Sequence, residues 1–481
     1  MQTPHSHRRI GLALCAALLL AGFAGLSGTA LATTDSGIKG KPQPELAPFV
    51  VGTASGSSSV STDGYNSNLV VAYEVATHKG GDAVQVCVLK RGARSCASKT
   101  TLRTEKGSSI YGTPFVTVEN SGDVFVAMDE CCNANDLLFE STDGGKTFGA
   151  PVPLGTADGP NIAAAEAFGV TGEPGHIIWA QDDAGRRFYV EYAPFNDPAD
   201  GLVVTAMKDA KNAAFYTAGL GSHAGGVLAA ASDSNDATIV SFAPAYSTTF
   251  HRVGRFANQT LISMSGDALV TQRTTGKQPL VFRLFNGTSF GPAYNVPDSG
   301  GGGPHWDIAH EASGRTFVFT ERFQDSYDLE MQSTTTGASW SGRTNLGSAI
   351  KSNGFSAALD NIGSGVVVGT SGPVTVFPVL ARQPVTFTLS KNKVGTGTGV
   401  TASGVGSSPE AGRTVQLQAL AGGSWHNTAS TTEDAKGDFS FKIAGRSVGR
   451  YTFRVRANLL PGYLQYGYSA SQTLKVVHPK S

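Results

Sequence analysis

The sequence predicts an all-β chain: a β-propeller of six or seven blades, seven preferred, followed by a β-sandwich. Three observations predict it. The composition is that of turn-rich strands, with 60 Gly in 481 residues, 15% charged residues, and plentiful Val, Thr, Ser, Phe and Tyr. A degenerate unit of four short strands recurs along most of the chain. One clear break, near 381–384, separates that array from a final stretch of about 95 residues with broadly alternating strands.

The N-terminus is set aside first. His7, Arg8 and Arg9 precede an apolar run from Ile10 to about Leu26, and Ala30-Leu31-Ala32 is a small-x-small cleavage pattern. Residues 1–32 therefore read as a secretory signal cut after Ala32. The arginine pair leaves Sec or twin-arginine export open. Residues 33–46 read as a linker. Without Arg8 and Arg9, 35 basic residues face 37 acidic ones. A net charge of about −2 argues against a nucleic-acid partner, which needs a basic footprint. No later apolar run is long enough to span a bilayer. The chain ends in Val476-Val477-His478-Pro479-Lys480-Ser481 with no anchor or sorting pattern, so the expectation is a freely secreted, extracellular monomer.

The repeat shows best in its second strand, at 69–73, 124–128, 176–179, 226–230, 268–271, 316–319 and 365–368. Strand starts 40 to 55 residues apart, with four strands per unit, are propeller spacing. The last unit has three strands, and a strand near 48–51 completes it and closes the ring. A stack of sandwiches would need linkers about every 100 residues, and one break is present. The propeller is placed at 47–381 and the sandwich at 383–478, with strands at 385–389, 414–418, 438–443, 451–456 and 471–477.

Four cysteines follow the signal: Cys87, Cys96, Cys131 and Cys132. In an exported protein disulfides are the default. Segments 84–90 and 93–98 alternate around Arg91-Gly92. A two-residue turn there sets Cys87 opposite Cys96 in a non-hydrogen-bonded pair, close enough to bridge. Cys131 and Cys132 form a vicinal bridge or bond elsewhere. They lack a second ligand pair for a metal.

Ser141-Thr142-Asp143-Gly144-Gly145-Lys146-Thr147-Phe148 fills every position of the Asp-box, Ser-x-Asp-x-Gly-x-Thr-aromatic. The chain over residues 47–381 thereby resembles the Asp-box (BNR-repeat), sialidase-like propeller superfamily. Physically, Asp143 accepts N–H bonds of the turn, Gly145 supplies positive φ, Thr147 bonds back, and Phe148 packs between sheets. This is a structural staple between strands three and four. Ser333 to Trp340 is a degraded copy with Thr335 at the Asp position, and Asn286 to Phe290 is weaker still. The final segment resembles the Ig-like modules appended to secreted bacterial proteins.

Loops joining strands two and three would converge on one rim. They carry Asp129 and Glu130; Asp182, Asp183 and Arg186; Asp233 and Asp236; Arg273 and Lys277; Glu321, Arg322 and Asp325. Glu321, Asp325, Asp129 and Asp182 are the candidate acids for glycoside hydrolysis. Arg322, Arg186, Trp306, His305 and Asp307 are the candidate binding residues, the last three on an inner strand entered from Gly300-Gly301-Gly302-Gly303-Pro304. The sialidase resemblance implies three carboxylate-gripping arginines and a Tyr–Glu nucleophile pair. Neither can be placed: the Arg-Ile-Pro-type strand is missing, and Arg91 and Arg94 fall at a hairpin tip. The expected function is non-catalytic binding of an extracellular glycan or protein, with divergent glycoside hydrolysis as the alternative. No cofactor and no metal are expected.

Overall fold

The computed structural model of the protein describes residues 47–479 apart from 56–59, 66–67, 77–81, 91–92, 104–113, 120–121, 131–134, 155–160, 169–175, 183–187, 195–201, 206–214, 234–236, 245–246, 248, 300–304, 311–313, 324–326, 349–354, 360–364, 371, 380–384, 407–412, 435 and 459–466. Within 153–218 it gives the backbone alone. Residues 1–32, read above as a signal, and Cys131 and Cys132 lie outside the described residues. Every regular element described is a strand.

Seven four-stranded antiparallel sheets form the propeller. They occupy residues 60–103, 115–154, 161–205, 215–257, 259–295, 306–348 and 355–379, called blades 1 to 7. Inner strands contact inner strands in sequence around the ring, and Val60–Tyr65 of blade 1 meets Phe355–Leu359 of blade 7. Blade 7 borrows its outermost strand. Phe49–Thr53 pairs antiparallel with Pro373–Val379, from Phe49↔Val376 to Thr53↔Pro373, and so ties the chain's two ends into one sheet.

Why the second strands are so apolar follows from where the cores lie. Along Asn68–Ala76, Val70 and Ala72 face a cluster shared with Val116, Val126 and Met128 of blade 2. Leu69, Val71 and Tyr73 face the other way, onto Val368, Val374 and Val376 of blade 7. A strand buried on both faces reads as a continuous apolar run. Tyr73 is buried, and burial pushes its phenol up to about 12.

The Cys87–Cys96 disulfide is present, with Cα atoms 5.4 Å apart. The register expected for it is not. Cys87 pairs with Lys99 and Val88 with Ser98. The Ala93 N–H does bond the Lys90 carbonyl at 2.8 Å. The chain then leaves the sheet until Ser98, and Cys96 sits in that excursion. The bridge therefore holds a loop. The loop lies on the closing strand, with the Arg94 guanidinium 5.1 Å over the Phe49 ring, and Lys99 of the resumed strand donates from Nζ to the Val51 carbonyl at 2.7 Å. Cys96→Ser is expected to lower stability by about 2 kcal/mol and to make residues 47–53 the first to be cleaved in limited proteolysis. Unchanged cleavage there would show that the loop is no clasp.

Residues 385–477 form two further sheets, of three and six strands. Val385, Phe387, Ala402, Phe439 and Phe441 meet Val415, Leu417, Phe453, Val455 and Leu474 in one core.

Candidate functional site

The turn at 141–148 closes on itself. Asp143 Oδ1 accepts the N–H of Thr147 at 2.9 Å, the N–H of Lys146 at 3.0 Å and the Ser141 hydroxyl at 2.8 Å. Its Oδ2 accepts the Thr147 hydroxyl at 2.7 Å. Ser141 Oγ in turn accepts the Gly145 N–H at 2.8 Å. The Thr147 backbone and side-chain bonds, with that from Ser141, hold the Asp143 carboxyl well below the usual carboxylate range. An acid so stabilised as the anion is no proton donor near neutrality.

The turn also joins blades. Gly145 has φ +82°, and a Cβ there would lie 2.8 Å from Val88 Cγ2 of blade 1. Thr100 of blade 1 donates to the Lys146 carbonyl at 2.8 Å. In blade 6, Gly337 at φ +80° leans on Tyr294 and Phe282 of blade 5 in the same way. There the turn is one residue shorter than the motif match over 333–340 implies. Thr334 pairs with Thr316 as Ser141 pairs with Val124, and Thr334 Oγ1 accepts the Gly337 N–H at 2.7 Å. Thr334, not Ser333, thus takes the Ser141 part, and Thr336 rather than Thr335 stands at the Asp place. In blade 5, Asn286 Oδ1 accepts the N–H groups of Thr288 and Ser289. All three turns join third to fourth strands. Ser141→Ala is expected to lower stability by about 1–3 kcal/mol, since it strands a buried N–H, while leaving ligand binding unchanged. A variant of native stability that had lost binding would overturn this.

The inner strands are stitched to one another by polar side chains. Asp307 Oδ1 accepts the Ser263 hydroxyl of blade 5 at 2.9 Å and its neighbour Ile308 N–H at 2.8 Å. Its Oδ2 accepts the Ala357 N–H of blade 7 at 2.8 Å. Asp63 repeats the device, accepting the Gly64 N–H at 2.7 Å and the Val118 N–H of blade 2 at 2.6 Å. Ser61, Ser265 and Ser356 accept the N–H groups of Val116, His310 and Thr62 on the following blades. Burial pushes both carboxyls up to about 6, against the pull of these N–H bonds. The sequence gives no warning of Asp63, since Asp63-Gly64 reads as a turn and lies inside a strand.

The rim candidates divide. Glu321 is 1% exposed, and its N–H bonds the His305 carbonyl at 3.2 Å where inner and second strands begin to part. Trp306 packs against the cluster of Val270, Phe282, Ile308 and Val318 between blades 5 and 6. Arg273 and Lys277 are exposed at the blade 5 loop. Asp129, Glu130, Asp182, Asp233 and Arg322 are placed by backbone alone, on strand ends of the rim. Asp183, Arg186, Asp236 and Asp325 lie outside the described residues. Under Trp306 and Glu321 is a cavity of about 10 Å³, room for a single water. Beside it, Arg343 bridges Glu330 at 3.3 Å and Asp298 at 3.1 Å. Sequence reading did not single out this cluster, because its members come from three separate segments. Among the described residues no group of His, Cys, Asp and Glu could hold a metal ion.

No family model matches the chain, and no curated protein does. Solved structures do. A Hadza microbial sialidase, Hz136, is 11% identical with a TM-score of 0.40, over 69% of this chain and 65% of that one, just under two thirds of its length. Trypanosoma rangeli sialidase is 11% identical with a TM-score of 0.38, over 90% and 87%. The SapL1 lectin, solved with alpha methyl fucoside, is 12% identical with a TM-score of 0.38, over 61% and 96%. The propeller assignment stands on the seven sheets and their closed ring, to which these likenesses are secondary.

Proposed function

We propose that the protein is a secreted, sialidase-like Asp-box propeller whose loop-rich rim holds an extracellular glycan or protein without hydrolysing it, with the Ig-like sandwich as an appended module. The burial of Glu321 carries this reading: of the candidate acids Glu321, Asp325, Asp129 and Asp182 it is the one whose side chain is described, and it is 1% exposed. A general acid needs a proton free to meet a leaving group, and a nucleophile needs an open approach. A carboxyl so buried offers neither. Asp307, a candidate for binding, does not replace it, since both its oxygens are taken by donors from three blades. Asp143, the acid of the 141–148 turn, is locked between third and fourth strands, away from the loops that join strands two and three. Without the arginine triad a substrate carboxylate also lacks its bidentate hold.

The test sets a panel of fluorogenic glycosides, sialosides included, beside a glycan array. The expected result is array binding with no turnover of any glycoside. Turnover that disappears in Glu321→Gln would overturn the proposal in favour of a divergent hydrolase.

A further inference from the structure

We propose that the outward face of the six-stranded C-terminal sheet binds an anionic polysaccharide. This goes beyond the rim reading and does not rest on it.

The whole-chain charge conceals a division. Residues 383–481 hold eleven Lys and Arg against four Asp and Glu, a net charge of +7. Residues 33–382 hold 24 against 33, a net charge of −9. Charge asymmetry of this kind marks a polyanion-binding half rather than a feature of the fold.

The fold gathers the positive charge on one face. The strands Lys393–Gly395, Thr414–Ala421, Ser424–Thr432, Gly449–Ala457, Gly467–Tyr468 and Gln472–Val477 contain no acidic residue. Phe453, Val455 and Leu474 point into the core. Alternation therefore sends Arg450, Arg454, Arg456 and Lys475 to the other side. Lys393 pairs in register with Lys475, and Lys475 with Arg450. These three cations stand side by side across three strands, all exposed. Like charges directly opposite one another are destabilising, and a bound row of anions removes that cost.

The other half of the face is organised for an anion held in bidentate fashion. The Arg454 guanidinium lies 4.4 Å from the Trp425 ring and 4.6 Å from the Tyr468 ring. Its Nε donates to Gln418 Oε1 at 2.7 Å, and Gln418 Nε2 donates to Asn427 Oδ1 at 2.9 Å. The cation is thus held between two aromatic rings before any ligand arrives, which lowers the ordering cost of binding. A guanidinium takes carboxylate or sulfate in bidentate fashion. Asn427 and the exposed hydroxyls of Thr452 and Thr473 on the same face suit the hydroxyls of a sugar chain, and a phosphate backbone has fewer such groups to offer them. The acidic propeller of the same chain does not cover this face, since Arg450, Lys475, Lys393 and Tyr468 are exposed in the whole protein.

The experiment uses the full secreted chain with heparin, polygalacturonate and neutral dextran as probes, by calorimetry between about 50 and 300 mM salt. Binding to both anionic glycans and none to dextran is expected. In Lys393→Gln/Arg450→Gln/Lys475→Gln, whose changes are all exposed, the slope of log affinity against log salt should fall by roughly one for each cation removed. Trp425→Ala should weaken binding by roughly tenfold with the slope unchanged, and thermal melts confirm that each variant folds. Equal binding of dextran, or an unaltered slope in the triple variant, would overturn the proposal. So would tighter binding of a single-stranded oligonucleotide than of either glycan. A concentration-dependent dimer abolished by the triple variant would overturn it too, by giving the face to a second copy's acidic propeller.

Discussion

Asp307→Ala is expected to lower the unfolding free energy by about 2–4 kcal/mol near pH 5, because three donors from three blades lose their acceptor at once. Those donors are the Ser263 hydroxyl and the N–H groups of Ile308 and Ala357. The damage falls where blade 6 meets its neighbours. Hydrogen exchange should therefore rise in Gln259–Ser265 and Phe355–Leu359 before it rises in blades 1 and 2. The pH dependence has a definite sign. The carboxyl is at about 6 in the folded protein against an ordinary 3.8. Between those values the folded chain keeps a proton that the unfolded chain has lost, so this contribution is complete below about 3.8 and drains away as pH rises through about 6. The difference between wild type and variant should accordingly be larger near pH 5 than near pH 7.5. Denaturant titrations at the two values measure it. Native stability at both, together with lost ligand binding, would make Asp307 a site residue after all.

Much of the architecture was readable in the sequence because its strongest signal is burial on both faces. The second strands sit between two blades, so each became a short apolar run, and seven such runs are seven blades. The closing strand was readable because the last unit lacked a partner. The turn at 141–148 was readable because its chemistry is local: Ser141, Asp143, Gly145 and Thr147 act on one another within seven residues.

What the sequence hid was long-range or two-sided. Ser424–Thr432 went unseen as a strand, since as the end strand of its sheet it has polar residues on both faces and only partial burial of Trp425 and Ala429. The register at Cys87 differs from the expected one because the strand does not resume until Ser98, although the Ala93 N–H bonds the Lys90 carbonyl as expected. Asp63 and Asp307 have the same part, yet Asp63-Gly64 carries the pattern of a turn and Asp307 stands among the binding candidates of an inner strand. Their partners lie 44 to 55 residues away, on other blades. The basic sheet face vanished in a whole-chain average of zero.

Glu433→Gln is expected to stabilise the protein at alkaline pH by about 2–3 kcal/mol and to leave it nearly unchanged near pH 4.5. Glu433 is 2% exposed, and neither carboxylate oxygen has a hydrogen-bond partner among the described residues. Burial pushes its carboxyl up to about 7 from an ordinary 4.5, and the nearby Arg413 charge offsets this only in part. The same desolvation holds Arg413 below its usual range. Below pH 4.5 the acid is protonated in folded and unfolded chains alike. As pH rises from there the unfolded chain gives up its proton first, so the folded state loses ground until about pH 7, where it too ionises. Above that the wild type carries a buried carboxylate whose solvation the unfolded chain would restore. A glutamine of nearly the same shape never incurs that loss. Unfolding curves for both proteins from about pH 4.5 to 8.5 should therefore diverge steadily, with the variant flatter. Parallel curves would mean that Glu433 is ionised throughout and that its charge is met by a group such as Arg413 more fully than burial allows.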